Sequence, residues 1–300
     1  MPITPTLAGQ LIPTLWENRI QYAANRRRGL TRMITDTGSR WFGPGGKINW
    51  PVMQVWPAAL AYTGAVLTDQ TTANNIGASI ITPSWIYTHA ILREDAMQTG
   101  IVDLVQAYAP IMAESLYQKI DIDIAILFQT AVAFVGAATS EWSEGDFLAG
   151  MSTLLTNGGD KVELGNIYAV YHPAKWDAIF ATGNIASASY RGETNSAAKT
   201  GMVELMYGAK LFITANIQPA AGPVAPYSNA IFTKDSIWMA RKNRPKVEIQ
   251  RNLTGAASVA NTGLTNTVAC STGYGVAYLH KSTTPQFTTD LIVEHRTSLA

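Results

Sequence analysis

The chain has 300 residues, enough for one large domain or two modest ones. Its 14% charged residues, against roughly 25% in ordinary soluble domains, imply that part of the surface is covered by something else or is small. A formal net charge of +1 names no polyanionic or polycationic partner, and the single Cys270 excludes an internal disulfide and fits a reducing compartment.

Residues 1–40 read as an arm. From position 11 to 34, Ile12, Leu15, Trp16, Ile20 and Ala23 recur at helical spacing. The segment is basic, with Arg19, Arg26, Arg27, Arg28, Arg32 and Arg40 against Glu17 and Asp36. Nothing in the opening residues resembles a secretory leader. A turn cluster, Trp41-Phe42-Gly43-Pro44-Gly45-Gly46, then leads into an extended run from Lys47 to Pro57. As a strand it puts Ile48, Trp50, Val52 and Trp56 on one face and Met53 and Val55 on the other. Pro51 and Pro57 bar it from the middle of a sheet. A second extended run, 78–91, follows the polar stretch 68–75, and the two together predict a long hairpin. So apolar a hairpin is marginal alone and is expected to lie against a neighbour.

At Ile101 the period changes from two to 3.6. Ile101, Leu104, Val105, Tyr108, Ile111, Met112, Leu116, Ile120, Ile124 and Leu127 form one stripe, predicting a spine helix over 101–130. Pro110 is expected to kink it or to start it afresh. The apolar stretch 124–138 is shorter than the roughly 20 residues of a bilayer span, so no membrane partner is expected. Ser143 and Asp146 form a capping box opening a helix over 144–156. A short buried strand, Ile167-Tyr168-Ala169-Val170-Tyr171, passes through His172-Pro173 into a helix over 174–181. Residues 182–200 read as an exposed loop, and 211–214 and 230–233 as strands. From 236 to 300 the pattern is β, with a polar linker over 252–267.

Motifs that carry chemistry are scarce. His89, His172, His280 and His295 are isolated, with neither a metal-ligand spacing nor a CxxC. Gly45-Gly46-Lys47 lacks the Ser or Thr and the helix of a phosphate loop, and Gly273-Tyr274-Gly275 lacks a dinucleotide context. Asp121 and Asp123 sit on opposite sides of a helix, and Cys270 has no base beside it. No catalytic, metal or cofactor site is expected. The Arg26-Arg27-Arg28 run suits phosphates or an acidic protein helix, and equally suits a solvated face or intersubunit ion pairs.

Arm, hairpin, spine helix, α/β lobe and closing strands, in that order, resemble the α+β HK97-type fold of tailed-phage major capsid proteins. The resemblance rests on Gly43 to Gly46 with Trp50 and Trp56, on 85–92 leading into 101–130, on the run from Ile167 to Pro173 with Trp176, and on 205–217. It implies an N-terminal arm (1–40), an extended loop (41–82), a peripheral domain (83–140 with 236–300) holding the spine helix, and an axial domain (141–235). It also implies a non-enzymatic subunit that forms pentamers and hexamers of an icosahedral shell around double-stranded DNA, built in the bacterial cytoplasm and ending in the virion. Trp50, Met53 and Trp56 become candidate intersubunit contacts, and Arg26, Arg27, Arg28 and Arg32 candidate contacts to a separate scaffolding protein or to packaged DNA. Portal and decoration proteins are the other implied partners. A nanocompartment of the same fold enclosing enzyme cargo, or an α/β enzyme, are the competing readings.

Overall fold

The computed structural model describes residues 17–20, 22, 29–38, 48–52, 77–158, 162–181, 205–219, 226–241, 245–252, 265–278 and 291–298. In chain order the strands are β1 (Thr35–Asp36), β2 (Ile48–Val52), β3 (Gly77–Ile81) and β4 (Ser84–Arg93), followed by the long helix α1 (Glu94–Phe128). Then come β5 (Ala133–Val135), α2 (Glu144–Gly158), β6 (Ile167–Tyr171) and α3 (Trp176–Ala181). The chain closes with β7 (Leu205–Met206), β8 (Ala209–Ile213), β9 (Tyr227–Thr233), β10 (Ile237–Arg241), β11 (Lys246–Asn252), β12 (Thr265–Tyr278) and β13 (Ile292–Thr297).

The chain divides into two compact units. One comprises residues 1–46, 82–124 and 239–276; the other comprises 47–81, 125–238 and 277–300. In the first, β12 is the central strand, pairing antiparallel with β11 and with β4, while β1 and β10 complete the five-stranded sheet. Most of α1 belongs here, burying Ala109, Met112, Ala113, Leu116, Tyr117, Ile120 and Ile124 at helical spacing. At 35 residues it is about 52 Å long.

Three expectations change in this unit. The spine helix begins at Glu94, not at 101. Gly100 and Thr99 obscure the period, yet one mid-helix glycine costs only about 1 kcal/mol, which a helix this long absorbs. It also runs through Pro110 instead of restarting there; the missing N–H forfeits one backbone bond. Finally, the arm is not one helix from 11 to 34. Residues 17–20 are helical, but Leu30–Arg32 is a 3-10 turn and Thr35–Asp36 a strand. Gly29 stands before the turn because a Cβ there would collide with the Asp121 carboxylate on α1. Past it, Leu30, Thr31, Met33 and Ile34 are buried. Thr37 bonds the Met239 carbonyl through both its N–H and its hydroxyl, and Asp36 pairs with Arg241 at 3.0 Å.

The second unit holds a six-stranded sheet in the order β5-β13-β9-β6-β8-β7. Parallel pairing of β6 with β8 and of β13 with β5 is mixed with antiparallel neighbours. α2 covers one face: Phe147, Met151 and Leu154 meet Ile167, Ala169, Tyr171, Ile231 and Val293 in one core. Its start is the capping box: the Ser143 hydroxyl accepts the Asp146 N–H at 3.1 Å and donates to the Asp146 carboxylate at 2.8 Å. On the sheet's other face Phe232 packs between the rings of Phe128 and Tyr168. The expected hairpin is present as β2 paired antiparallel with β3, with Trp50 opposite Ser79. Its second run was read as continuous over 78–91, but it breaks at Thr82-Pro83, and β4 goes on to pair with β12 instead.

Candidate assembly surfaces

Of the candidate contacts singled out from sequence, the structure describes Trp50 and Arg32. Trp50 lies in the middle of β2. Met53, Trp56, Arg26, Arg27 and Arg28 fall outside the described residues. Arg32 ends the 3-10 turn and is exposed, while Leu30 and Thr31 in the same turn are buried.

The more conspicuous feature is one that sequence reading passed over. β4 pairs with β12 on one side and, among the described residues, with nothing on the other. Strand alternation sends Trp85, Tyr87, His89 and Ile91 to the same face. All four are exposed, Tyr87 by 75%. The Tyr87 and His89 rings stack with centroids 6.2 Å apart. Covering an apolar side chain of this size is worth about 1.5–3 kcal/mol, so the stripe is a strong driving force awaiting a partner. The contrast within one sheet is instructive. Edge strand β11 carries exposed Lys246 and Glu248, the usual protection against edge pairing, while exposed positions of β4 carry none.

The second unit has two further apolar surfaces, at opposite edges of its sheet. Beyond β7, the β7–β8 hairpin turns at Tyr207 and Gly208, both at positive φ (49° and 86°), the geometry that suits a right-twisted two-residue hairpin. Tyr207 donates its hydroxyl to Glu144 at the start of α2. The turn and the outer face of α2 enclose an open groove of about 480 Å³, lined by Leu148, Met151, Ser152, Leu155, Thr156, Leu164 and Tyr207. Leu164 is 67% exposed. At the other edge, Val132, just before β5, and Phe134, within it, are exposed, and the Arg296 guanidinium lies 4.0 Å from the Phe134 ring centroid.

Titratable groups are arranged for structure. His295 is fully buried, and its Nδ1 shares a 2.8 Å hydrogen bond with the Tyr171 hydroxyl. Burial holds its pKa down at about 4, against a smaller opposing pull from Asp146. Burial also pushes the Cys270 thiol up to about 12, an inert thiol. His172 is lowered by burial and then by Lys175; it stacks on Tyr227 at 4.0 Å and caps the turn Pro173–Lys175 by accepting the Ala174 N–H. Buried Lys175 bonds Ser298 at 3.2 Å and pairs with Glu141 at 3.4 Å. Among the described residues, no three His, Cys, Asp or Glu are grouped to hold a metal ion, and no helix is long and apolar enough to cross a membrane.

No protein-family model matches the sequence, and no curated protein is similar to it. Solved structures are. One from Mycobacterium phage Che8 superimposes with a TM-score of 0.62 at 14% identity, covering 90% of this chain and 91% of that one. The capsid of the cyanophage P-SCSP1u gives 0.60 at 13% identity, covering 89% and 87%. These matches run through both units and nearly the full length of both partners. The chain has the HK97-like capsid fold. A virus-like particle from Pyrococcus furiosus shares it, with a TM-score of 0.55 at 10% identity over 93% of this chain and 96% of that one. At such identities the HK97-like fold is held in common by architecture.

The stripe on β4 had a legible signal. Trp85-Ile86-Tyr87-Thr88-His89-Ala90-Ile91 alternates large and small residues with no charge on either set. The groove had none, because Leu148, Leu164 and Tyr207 come from separate elements and meet only in the folded unit.

Proposed function

We propose that this chain is the structural subunit of a closed shell, the icosahedral capsid of a tailed bacteriophage enclosing double-stranded DNA. The observation that carries the reading is the whole-chain match to capsid structures. Exposed apolar surfaces on a chain with only 14% charged residues support it, because a monomer has no use for them. The work of such a subunit is mechanical, which fits a chain whose buried His and Cys are held neutral. Copies of the chain are its first partners, in pentamers and hexamers. A separate scaffolding protein during assembly, a portal and decoration proteins are the others, with assembly in the host cytoplasm and residence in the virion.

In this reading the hairpin 41–82 lies over an adjacent subunit through Trp50, Met53 and Trp56. Residues 83–140 and 236–300 form the peripheral domain, and 141–235 line the capsomer centre. Arg26, Arg27, Arg28 and Arg32 meet scaffold or DNA by non-specific charge. The competing reading is a compartment of the same fold enclosing enzyme cargo.

Electron microscopy and sedimentation of the purified chain test the shared core of both. Closed shells, tubes or capsomer rings are expected, and nuclease-protected DNA in particles from infected cells separates capsid from compartment. A chain that stays monomeric both alone and with its co-expressed neighbouring genes would refute the shell.

A further inference from the structure

The sheet of the second unit ends in two unlike edges, and their chemistry is complementary. We infer that copies join head to tail through this sheet: the β5 edge of one copy seats Val132 and Phe134 in the groove between α2 and the β7–β8 turn of the next. The inference rests on the shell-subunit reading and supplies the contact within it.

Topology supplies the first argument. β5 and β7 are the terminal strands of a single six-stranded sheet, three and two residues long, too short for extended backbone pairing with another chain. Contact through them is therefore by side chains, and both ends display apolar ones. Val132 and Phe134 are 52% and 55% exposed at one end; Leu148, Leu164 and Tyr207 are 43%, 67% and 44% exposed at the other. Because the two patches differ, each can satisfy the other only between copies. Such a heterologous contact closes into a ring when its rotation divides a full turn.

Charge supplies the second. All the residues lining the groove are uncharged. The Glu144 carboxylate accepts the hydroxyl of the lining residue Tyr207, and exposed Glu163 precedes the lining residue Leu164 in the chain. The β5 edge brings a matching cation, Arg296, whose guanidinium lies over the Phe134 ring. The nearly buried Glu294 carboxylate engages its Nε and Nη2 at 3.0 Å and holds it in place. A guanidinium has five N–H donors, so the anchored fork keeps donors for an acid across the contact. A seat that is apolar in the middle and oppositely charged at the margin is the usual anatomy of a specific interface. A second copy fits it better than an unrelated protein, since both halves are present on every chain.

Cysteine pairing tests the geometry. Particles are assembled from Phe134→Cys chains, from Leu164→Cys chains, from a mixture of the two, and from the double variant. They are then treated with copper phenanthroline, which takes the two electrons and two protons as each disulfide forms. Dimers in the mixture only, and a ladder ending at five and six in the double variant, are expected. Buried Cys270 stays silent. A charge swap gives an independent readout by sedimentation. Leu164→Lys and Phe134→Glu each reduce particle yield about tenfold, equivalent to about 1.4 kcal/mol per contact, and the double variant restores it. Normal particles with no mixed dimer, equal cross-linking in the single variants, or wild-type yield from both charge variants would overturn the contact and leave the shell standing. Absence of particles from the unaltered chain would instead remove the shell reading, and this inference with it.

Discussion

The buried His295 makes acid sensitivity a quantitative test of the packing in the second unit. Its ring is fully buried, with Nδ1 hydrogen-bonded to the Tyr171 hydroxyl and Nε2 without a partner among the described residues. Burial lowers its pKa from 6.5 to about 4, so between these values the unfolded chain binds a proton that the folded chain refuses. Stability therefore rises with pH across this window. The loss begins as pH falls through 6.5 and is complete near 4, below which both states are protonated. A depression of this size corresponds to about 3 kcal/mol, a sizeable part of a typical 5–15 kcal/mol total. The assay is urea denaturation of the unassembled chain at several pH values from 7 to 4, for wild type and for His295→Gln. Glutamine can still hydrogen-bond the Tyr171 hydroxyl but cannot titrate. The variant starts less stable at pH 7 and loses about 3 kcal/mol less on acidification, while His172 contributes equally to both. Parallel pH profiles for the two proteins would refute the argument, as would a His295 proton titrating near 6.5 by NMR.

Three further outcomes follow from the second unit's packing. Phe147→Ala empties a fully buried position in the core under α2 and is expected to cost about 3–5 kcal/mol, read as a lower urea midpoint with little change in slope. Ser143→Ala removes the cap on α2 and costs about 1 kcal/mol; Ser143→Asp, still able to cap, recovers most of it. Gly136→Ala combines a positive φ of 77° with a collision against the Arg296 carbonyl, so a loss of about 1–3 kcal/mol is expected, seen as a lower melting temperature.

Legibility in the sequence followed the range of the interactions involved. Local signals were reliable. Ser143 with Asp146 marked the start of α2, and Ile167 to Tyr171 matched β6 end for end. The stripe from Met112 to Ile124 identified the buried face of α1. Its neighbours Tyr108 and Ile111, read as part of the stripe, are exposed instead, because apolar residues at helical spacing outnumber those that find a partner. Constraints imposed from afar were not legible: a Cβ at Gly29 would collide with the Asp121 carboxylate, which comes close to it only in the fold. The β pattern of 236–300 includes β13 without marking it out, and its place between β5 and β9 is visible only in the fold. For the candidate surfaces, tryptophan content points to the hairpin; the alternation on β4 is present in the sequence, but which of its faces stays exposed is a property of the fold.

The pairing of the first unit's sheet has a consequence for synthesis. β4 acquires its partner, β12, only when residues 265–274 exist, and Thr37 reaches its acceptor 202 positions downstream. Contacts so distant along the chain are slow to close, and a chain emerging from the ribosome at about 5–20 residues per second spends many seconds without them. Premature termination anywhere before β12 leaves β4 unpaired, so its stripe is never set on a finished sheet. Fragments are thereby kept from presenting a complete surface, and the fold itself inspects each chain for length before it can be built into anything larger.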